Sequence, residues 1–393
     1  MECKEMDFDL LSKEQSMMVD SINELLKKEY PLEKAREDDI NETFPHDLYK
    51  KLAELGFFSI PFPEIYGGMG GSSIDECLAI ETLAKHGASI SISYFLSVCF
   101  GGKTLEYLGS EQQKKEYLTK LCSGEKMYSL ALTEPDGGTD VLGAMTTTFD
   151  KDGENYILNG QKMFITGATV ADYLIVVGRT NKDVRKQSEG ISVFVVDQKS
   201  PGIEIKNIEK MGIRAAPTAI IYFDDVKVPA ENILGDEGKG WYGIVNTLNN
   251  ERTGIAALCT GLAQGILSLV LKYSKERIAF GKPIGQFQAL QHYLADISTK
   301  LDAARLLTYR AAWLQKEERP NSIESAKAKL FASEVALKAA EIGMRVMGGA
   351  GYMMEYDMQR FYRDAPLFLF APISNEMCKN FIGEKELKLP RSF

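Results

Sequence analysis

Histidine and paired cysteine are what this sequence has least of. Three histidines, His46, His86 and His292, stand far apart in 393 residues, so no histidine-based metal site is expected and no metal ligand is assigned. The six cysteines (Cys3, Cys77, Cys99, Cys122, Cys259, Cys378) include no C-x-x-C pair. That pattern suggests reduced thiols in the cytoplasm, not a disulfide framework or a zinc site. No G-x-G-x-x-G follows a strand-like run, which disfavours a nicotinamide-binding Rossmann enzyme. Net charge is −9, so nucleic acid is not an expected partner, because phosphate binding draws on clustered Lys and Arg. The N-terminal MECKEMDFDLLSKEQ mixes charges of both signs, unlike a signal or transit peptide. No run is expected to be long and apolar enough to span a bilayer, and a soluble, cytoplasmic protein is the expectation.

What is present is ample core material. Hydrophobic residues make up 45% of the chain, and its length calls for two or three domains. Residues 1–126 read as helices, with Ser12…Gln15 and Ser110…Gln113 as capping-box starts. The Pro- and Gly-rich residues 60–71 read as a turn between helices. From 127 to 236 the texture changes to short β-branched and aromatic runs, NYILNGQKMFITG, ADYLIVVGRT, GISVFVVDQ and AIIYFDDVKV, which predict a small β-domain. Residues 237–393 return to helix, with segments over roughly 241–277, 288–316 and 323–347. The expected class is α+β: an N-terminal helical domain, a central β-domain and a C-terminal domain like a four-helix bundle. Helices, then strands, then helices is not the alternation of a doubly wound sheet.

One acid breaks the pattern of the C-terminal domain. In TLNNERTGIAALCTGLAQG, residues 247–265, Glu251 shares a helical face with Ile244, Leu248, Ile255, Leu258 and Leu262. The carboxylate continues an apolar stripe. Glu-Arg pairs near helix starts are common local ion pairs, and the stripe alone leaves a structural role open.

Four further motifs stand in order. LALTEPDGGTD, residues 130–140, ends a strand in a loop whose adjacent glycines allow close backbone approach to a flat or anionic ligand. NGQKMFITG (159–167) offers Phe164 and Thr166 on one strand face. RIAFGKPIGQFQALQ (277–291) and MGGAGY (347–352) follow. In this order and on this layout the motifs resemble the acyl-CoA dehydrogenase family of flavoenzymes, and the resemblance runs from FDLLSKEQ to YRDA at 362–365.

The resemblance implies FAD as cofactor. It assigns Leu130, Leu132, Thr133, Gly138, Thr139, Phe164 and Thr166 to the flavin ring, with Thr139 also near substrate. It places Arg277, Phe280 and Gln288 against the pyrophosphate and adenine side of a neighbouring subunit's FAD. Arg277 suits a diphosphate, being permanently charged and bidentate. Arg345, where the family usually has Gln, joins Gly348, Gly349, Ser374 and Glu376 among the cofactor contacts. It also implies an acyl-CoA substrate, an electron-transfer flavoprotein as electron acceptor and a homotetramer.

The resemblance also bears on Glu251. Much of the family removes the α-proton of the thioester with a Glu that follows R-D-A, while hydride leaves the β-carbon for flavin N5. In RDAPLFLFAPISNEM that position is Pro372, which cannot take a proton. A minority branch, including isovaleryl- and long-chain-type dehydrogenases, places the base just before an Arg on another helix, as NNER does. The resemblance therefore makes Glu251 the catalytic base, with apolar neighbours raising its pKa, and Asn249 and Arg252 contacts to pantetheine. Glu376 is the rival base. Pro372 also lacks the N–H that polarises the thioester carbonyl in the family, and losing one such donor costs on the order of 3 kcal/mol. Ile373 N–H is the nearest substitute. Alternatives are an enoyl-thioester reductase, a carrier-protein-linked acyl dehydrogenase, or a non-catalytic flavin- or acyl-binding homologue. The acyl pocket floor is expected to draw on residues 91–102 and Ile255.

Overall fold

The structure is a computed structural model that describes residues 11–391. Most of the N-terminal stretch discussed above, Cys3 included, lies outside the described residues. The first helical block holds α1 (Lys13–Glu29), α2 (Leu32–Asn41), α3 (His46–Glu54), α4 (Ser73–Ala84), α5 (Ala88–Phe95), α6 (Lys103–Leu108) and the short α7 (Glu111–Gln113) and α8 (Thr119–Cys122). Both capping boxes are present. Ser12 Oγ accepts from Gln15 N–H at 3.2 Å while Ser12 N–H donates to Gln15 Oε1 at 3.0 Å; Ser110 and Gln113 repeat this at 3.2 and 2.9 Å. The expected acyl-pocket segment is not uniform helix. After α5, Leu96–Gly102 widens into π-helical turns, which sequence periodicity does not reveal.

The strands are β1 (Tyr128–Ala131), β2 (Thr148–Asp152), β3 (Asn155–Thr166), β4 (Tyr173–Arg179), β5 (Ile191–Asp197), β6 (Ile203–Asn207), β7 (Thr218–Pro229) and β8 (Ile233–Leu234). They form one sheet in the order β6-β7-β3-β2-β4-β5-β8, with β1 parallel to β4. Its apolar face builds a separate core around Phe149, Leu158, Val176, Phe194 and Ile221. The register of β3 on β7 shifts between Lys162 and Ile165; such bulges re-aim side chains.

The chain then enters α9 (Gly240–Glu276), a small hairpin of β9 (Ile278–Ala279) and β10 (Lys282–Pro283), and α10 (Gln288–Lys316), α11 (Ser322–Met347), α12 (Gly349–Tyr352), α13 (Met358–Asp364) and α14 (Asn375–Lys385). Helix α9 corrects one sequence expectation. Its most apolar 18-residue window has a mean hydropathy of 1.9, which by length and composition could cross a membrane. That window is 78% buried, because α9 is the central helix of the bundle and packs on α4, α10 and α11. Its small residues permit this closeness: a Cβ at Gly261 would lie 2.1 Å from the Glu81 carbonyl oxygen. Arg305 of α10 fastens the same corner, donating twice to Glu81 Oε1 at 2.8 and 2.7 Å.

Candidate active site

Glu251 sits in the first third of α9 and is 2% exposed. Ile244, Ile255, Leu258 and Leu262 are buried on the same stripe, and Leu248 is half-buried. Among the described residues neither carboxylate oxygen accepts a hydrogen bond, and Oε2 is a fully buried acceptor without a partner. Burial pushes the Glu251 pKa up to about 8, with Arg252 and Lys329 pulling partly the other way. An unpartnered buried carboxylate costs free energy, so a sequence selected only for stability has no use for it here.

The flanking residues point elsewhere. Asn250 Nδ2 donates to Glu76 Oε1 at 3.0 Å, tying α9 to α4. Arg252 is half-buried, donates to Asn249 Oδ1 at 2.7 Å and lies 5.8 Å from the centre of the Phe381 ring. Burial lowers its pKa against the raising influence of Cys378 and Glu251. Beside it opens a cleft of about 330 Å³ between α9, α11 and α14, lined by Arg252, Ala326, Ile373, Cys378, Phe381 and Arg391 among others.

The segment after R-D-A is a 3₁₀ turn, Ala365–Leu369, followed by a turn with a cis Ala371–Pro372 peptide and then α14. Ser374 caps α14, accepting from Met377 N–H at 3.2 Å. Ile373 N–H donates to no protein group among the described residues. Glu376 is exposed and lines a separate shallow cleft with Glu334, Lys338 and Lys379.

The β-domain motifs meet at one rim. Met163 N–H donates to the Thr133 carbonyl at 2.9 Å, and Ser129 Oγ to the Thr166 carbonyl at 2.6 Å. Strand β1, its following loop and the end of β3 are thereby joined, so Leu130, Leu132, Thr133, Phe164 and Thr166 are neighbours. Phe164 has φ 61 and is 58% exposed, turned outward at the β3 bulge. Gly138 and Thr139 lie exposed on the adjoining loop, and a Cβ at Gly138 would meet nothing within 4 Å.

Two residues of these motifs escaped the sequence reading. Glu134, of the TEP stretch, is 3% exposed, and Lys162, of NGQK, is buried as well. They pair at 2.9 Å, and Lys162 also donates to the Leu132 carbonyl at 2.9 Å. Glu134 further accepts from Thr146 N–H and Oγ1, each at 2.6 Å, and Thr147 N–H at 3.0 Å. Burial pushes the Glu134 carboxyl up, but Lys162 and these hydrogen bonds hold it well below the usual range. The pair locks the loop to the strand. Its signal was only the presence of charge in an otherwise small-residue loop.

The remaining residues lie apart from Glu251 within one chain. Arg277 begins the hairpin at the end of α9, roughly 26 residues and so about 39 Å along that helix. Arg277 and Gln288 are exposed, and Phe280 is 94% exposed with φ 52. Arg345 is exposed near the end of α11, followed by Gly348 and Gly349, at both of which a Cβ would meet open space.

Comparison with known proteins covers this whole arrangement. Family models match in three consecutive pieces: "Acyl-CoA dehydrogenase, N-terminal domain" over residues 12–125, "middle domain" over 129–226 and "C-terminal domain" over 238–387. The chain is 41% identical to "Probable acyl-CoA dehydrogenase YngJ" of Bacillus subtilis (strain 168), over 98% of this chain and 100% of that one. It is 38% identical to "Caffeyl-CoA reductase-Etf complex subunit CarC" of Acetobacterium woodii, over 95% and 99%. The solved butyryl-CoA dehydrogenase of Megasphaera elsdenii superposes with a TM-score of 0.90 at 36% identity, over 94% of this chain and 97% of that one. With three domain matches and near full-length relatives, the chain belongs to the acyl-CoA dehydrogenase family of FAD-dependent oxidoreductases.

Proposed function

We propose that this chain dehydrogenates an acyl-CoA thioester between its α and β carbons, with Glu251 as the base. The observation that carries the reading is the Glu251 carboxyl itself, buried without a hydrogen bond among the described residues and raised to about 8. A base of that strength is suited to taking a weakly acidic α-proton near neutral pH. Pro372 stands where much of the family keeps its base, so Glu251 fills the role from the other helix.

The residues present fit FAD. An exposed Phe164 ring, the half-buried Leu132 and Thr133 and the open backbone at Gly138 form an apolar rim with small neighbours. When bound, FAD supplies the acceptor for the hydride leaving the β-carbon. Leu130, Leu132, Thr133, Gly138, Thr139, Phe164 and Thr166 would hold its ring, with Ser374 and Glu376 at its edge. Arg277, Phe280 and Gln288 would hold the diphosphate and adenine from a neighbouring subunit, next to Arg345, Gly348 and Gly349. The exposed, left-handed Phe280 supports that reading, as does the distance separating Arg277 from Glu251 along α9. This use of a neighbour calls for an oligomer, and the resemblance to the family makes it a homotetramer.

Asn249 and Arg252 receive the pantetheine arm at the cleft beside α14, with Thr139 on the opposite side of the substrate. The unpaired Ile373 N–H supplies the donor that Pro372 lacks, polarising the thioester carbonyl and stabilising the enolate-like charge that develops on it. An electron-transfer flavoprotein takes the electrons onward, in line with the relative named as part of an Etf complex. Five cysteines, Cys77, Cys99, Cys122, Cys259 and Cys378, are free and buried, which suits a reducing compartment such as the cytoplasm.

The same relative, named a caffeyl-CoA reductase, favours a second reading. Run in reverse, the site reduces an enoyl thioester, with Glu251 returning the proton to the α-carbon. Anaerobic titration of the purified yellow protein separates the two. Bleaching by one or more saturated acyl-CoAs is expected for the dehydrogenase. No bleaching by any of them, with reoxidation of the dithionite-reduced flavin by an enoyl-CoA, assigns the reductase. Inertness to both kinds of thioester overturns the proposal.

A further inference from the structure

Lys329, whose charge already bears on Glu251, is fully buried in α11. Its Nζ donates to the Ile373 carbonyl at 2.6 Å, to Asn375 Oδ1 at 2.8 Å and, more weakly, to the Leu369 carbonyl at 3.4 Å. Asn375 is itself buried and held by Ser333, whose Oγ lies 3.2 Å from Oδ1 and 3.1 Å from Nδ2. These contacts span the turn from the end of the 3₁₀ segment to the first residue of α14. That turn carries Pro372 and Ile373, and α9 with Glu251 packs against the same helix α11.

Burying a lone ammonium is costly unless its hydrogen bonds are satisfied and a negative partner is near. Lys329 has its acceptors, but none of them is charged. The groups that face it and Glu251 are Arg252 and Cys259 on α9 and Glu376 and Cys378 on α14. Burial lowers the Lys329 pKa, while Cys378, Cys259, Glu376 and Glu251 raise it. In the other direction Lys329 and Arg252 both favour the charged form of Glu251. Arg252 is half-buried beside an open cleft, whereas Lys329 is enclosed, so solvent screens it less.

From this geometry we infer that Lys329 is a positioning residue for the reaction assigned to Glu251: one ammonium fixes the Ile373 turn and brings a buried positive charge to the helix that packs against Glu251's own. The inference rests on the reading of Glu251 as the base. It links the carbonyl-polarising donor and the base through one side chain. Displacement of Lys329 disturbs both together.

The test uses the FAD-loaded protein with Lys329→Met and Lys329→Gln. The second variant keeps a hydrogen-bond donor while losing the charge, and serves if the first does not fold. The first readout needs no turnover. The protonated-carboxyl band of Glu251, identified by its loss in Glu251→Gln, is titrated by infrared difference spectroscopy. Both variants are expected to titrate about one pH unit higher than the unaltered protein, as loss of a nearby positive charge does. The band of Asp364, a buried acid in contact with neither Lys329 nor its acceptors, is expected to stay in place. The second readout is flavin bleaching by acyl-CoA. Its pH profile is expected to shift upward with the band in both variants, and Lys329→Met is expected to lose more of the limiting rate than Lys329→Gln. Titration and pH profile that superimpose on those of the unaltered protein overturn the inference and leave Lys329 a space-filling residue. If the unaltered protein bleaches with no thioester while the band still moves, the proposed reaction fails and the electrostatic link stands.

Discussion

Glu134 and Glu251 are equally buried and chemically identical, and they hold their protons in opposite ways. Glu134 accepts hydrogen bonds from Thr146 and Thr147 and pairs with Lys162; it stays ionised. Glu251 has no such donors among the described residues, and burial outweighs the opposing pull of Arg252 and Lys329. Burial therefore does not decide a carboxylate's state; the satisfaction of its oxygens does. A saturated buried acid is structural, because its lone pairs are already committed. An unsaturated one keeps its basicity for something else. Glu76 and Asp364 fall between: each has one oxygen without a partner and another that accepts a hydrogen bond.

The comparison can be broken most severely at Glu251. Glu251→Gln is close to isosteric, so FAD stays bound while the rate of flavin bleaching by acyl-CoA is expected to fall on the order of 100-fold or more, the usual worth of a general base. A rate within a few-fold of the unaltered protein would place the base elsewhere. At the other pole, Lys162→Met strands the Glu134 carboxylate in a dry site. Breaking a buried pair from one side costs about 3–5 kcal/mol, to be read as a lowered urea midpoint, with FAD retention lost alongside. Unchanged stability would mean that the loop and strand are joined by their backbone contacts alone.

A finer test concerns stability against pH. The folded state holds the Glu251 proton up to about 8, well above the ordinary carboxylate value, so it binds more protons than the unfolded chain in between. That contribution is fully present below the ordinary value and is lost as pH rises toward 8. Glu251→Gln lacks this loss. Its melting temperature relative to the unaltered protein is expected to climb across that window and then level. A constant difference would show that Glu251 titrates normally. The smallest effect belongs to Glu376→Gln, expected to alter the bleaching rate by less than about threefold, since this carboxylate is exposed and lines a separate cleft. A loss as large as that of Glu251→Gln would reverse the assignment of roles.

Legibility in the sequence followed range. Local signals were the clearest: Ser12 with Gln15 and Ser110 with Gln113 close their caps within four residues, and α9, α10 and α11 begin and end within a residue of where periodicity put them. The burial of Glu251 was legible too, since a stripe of five apolar neighbours at helical spacing fixes which way that face points. Long-range polar partners were not. Lys162 finds Glu134 across the loop, and Lys329 finds Ile373 and Asn375 from another helix; nothing near either lysine in the chain marks it as buried. The membrane-like hydropathy of α9 shows the same limit, because only the surrounding helices distinguish a bundle core from a bilayer.

The most direct test of Glu251 as an unsatisfied buried base is the second-order rate constant for flavin bleaching at low acyl-CoA, followed anaerobically from about pH 5 to about pH 10, which reports the free enzyme's essential base. It is expected to rise about tenfold per pH unit and level off near a pH of about 8. A flat profile, or a plateau already reached in the ordinary carboxylate range, would contradict it.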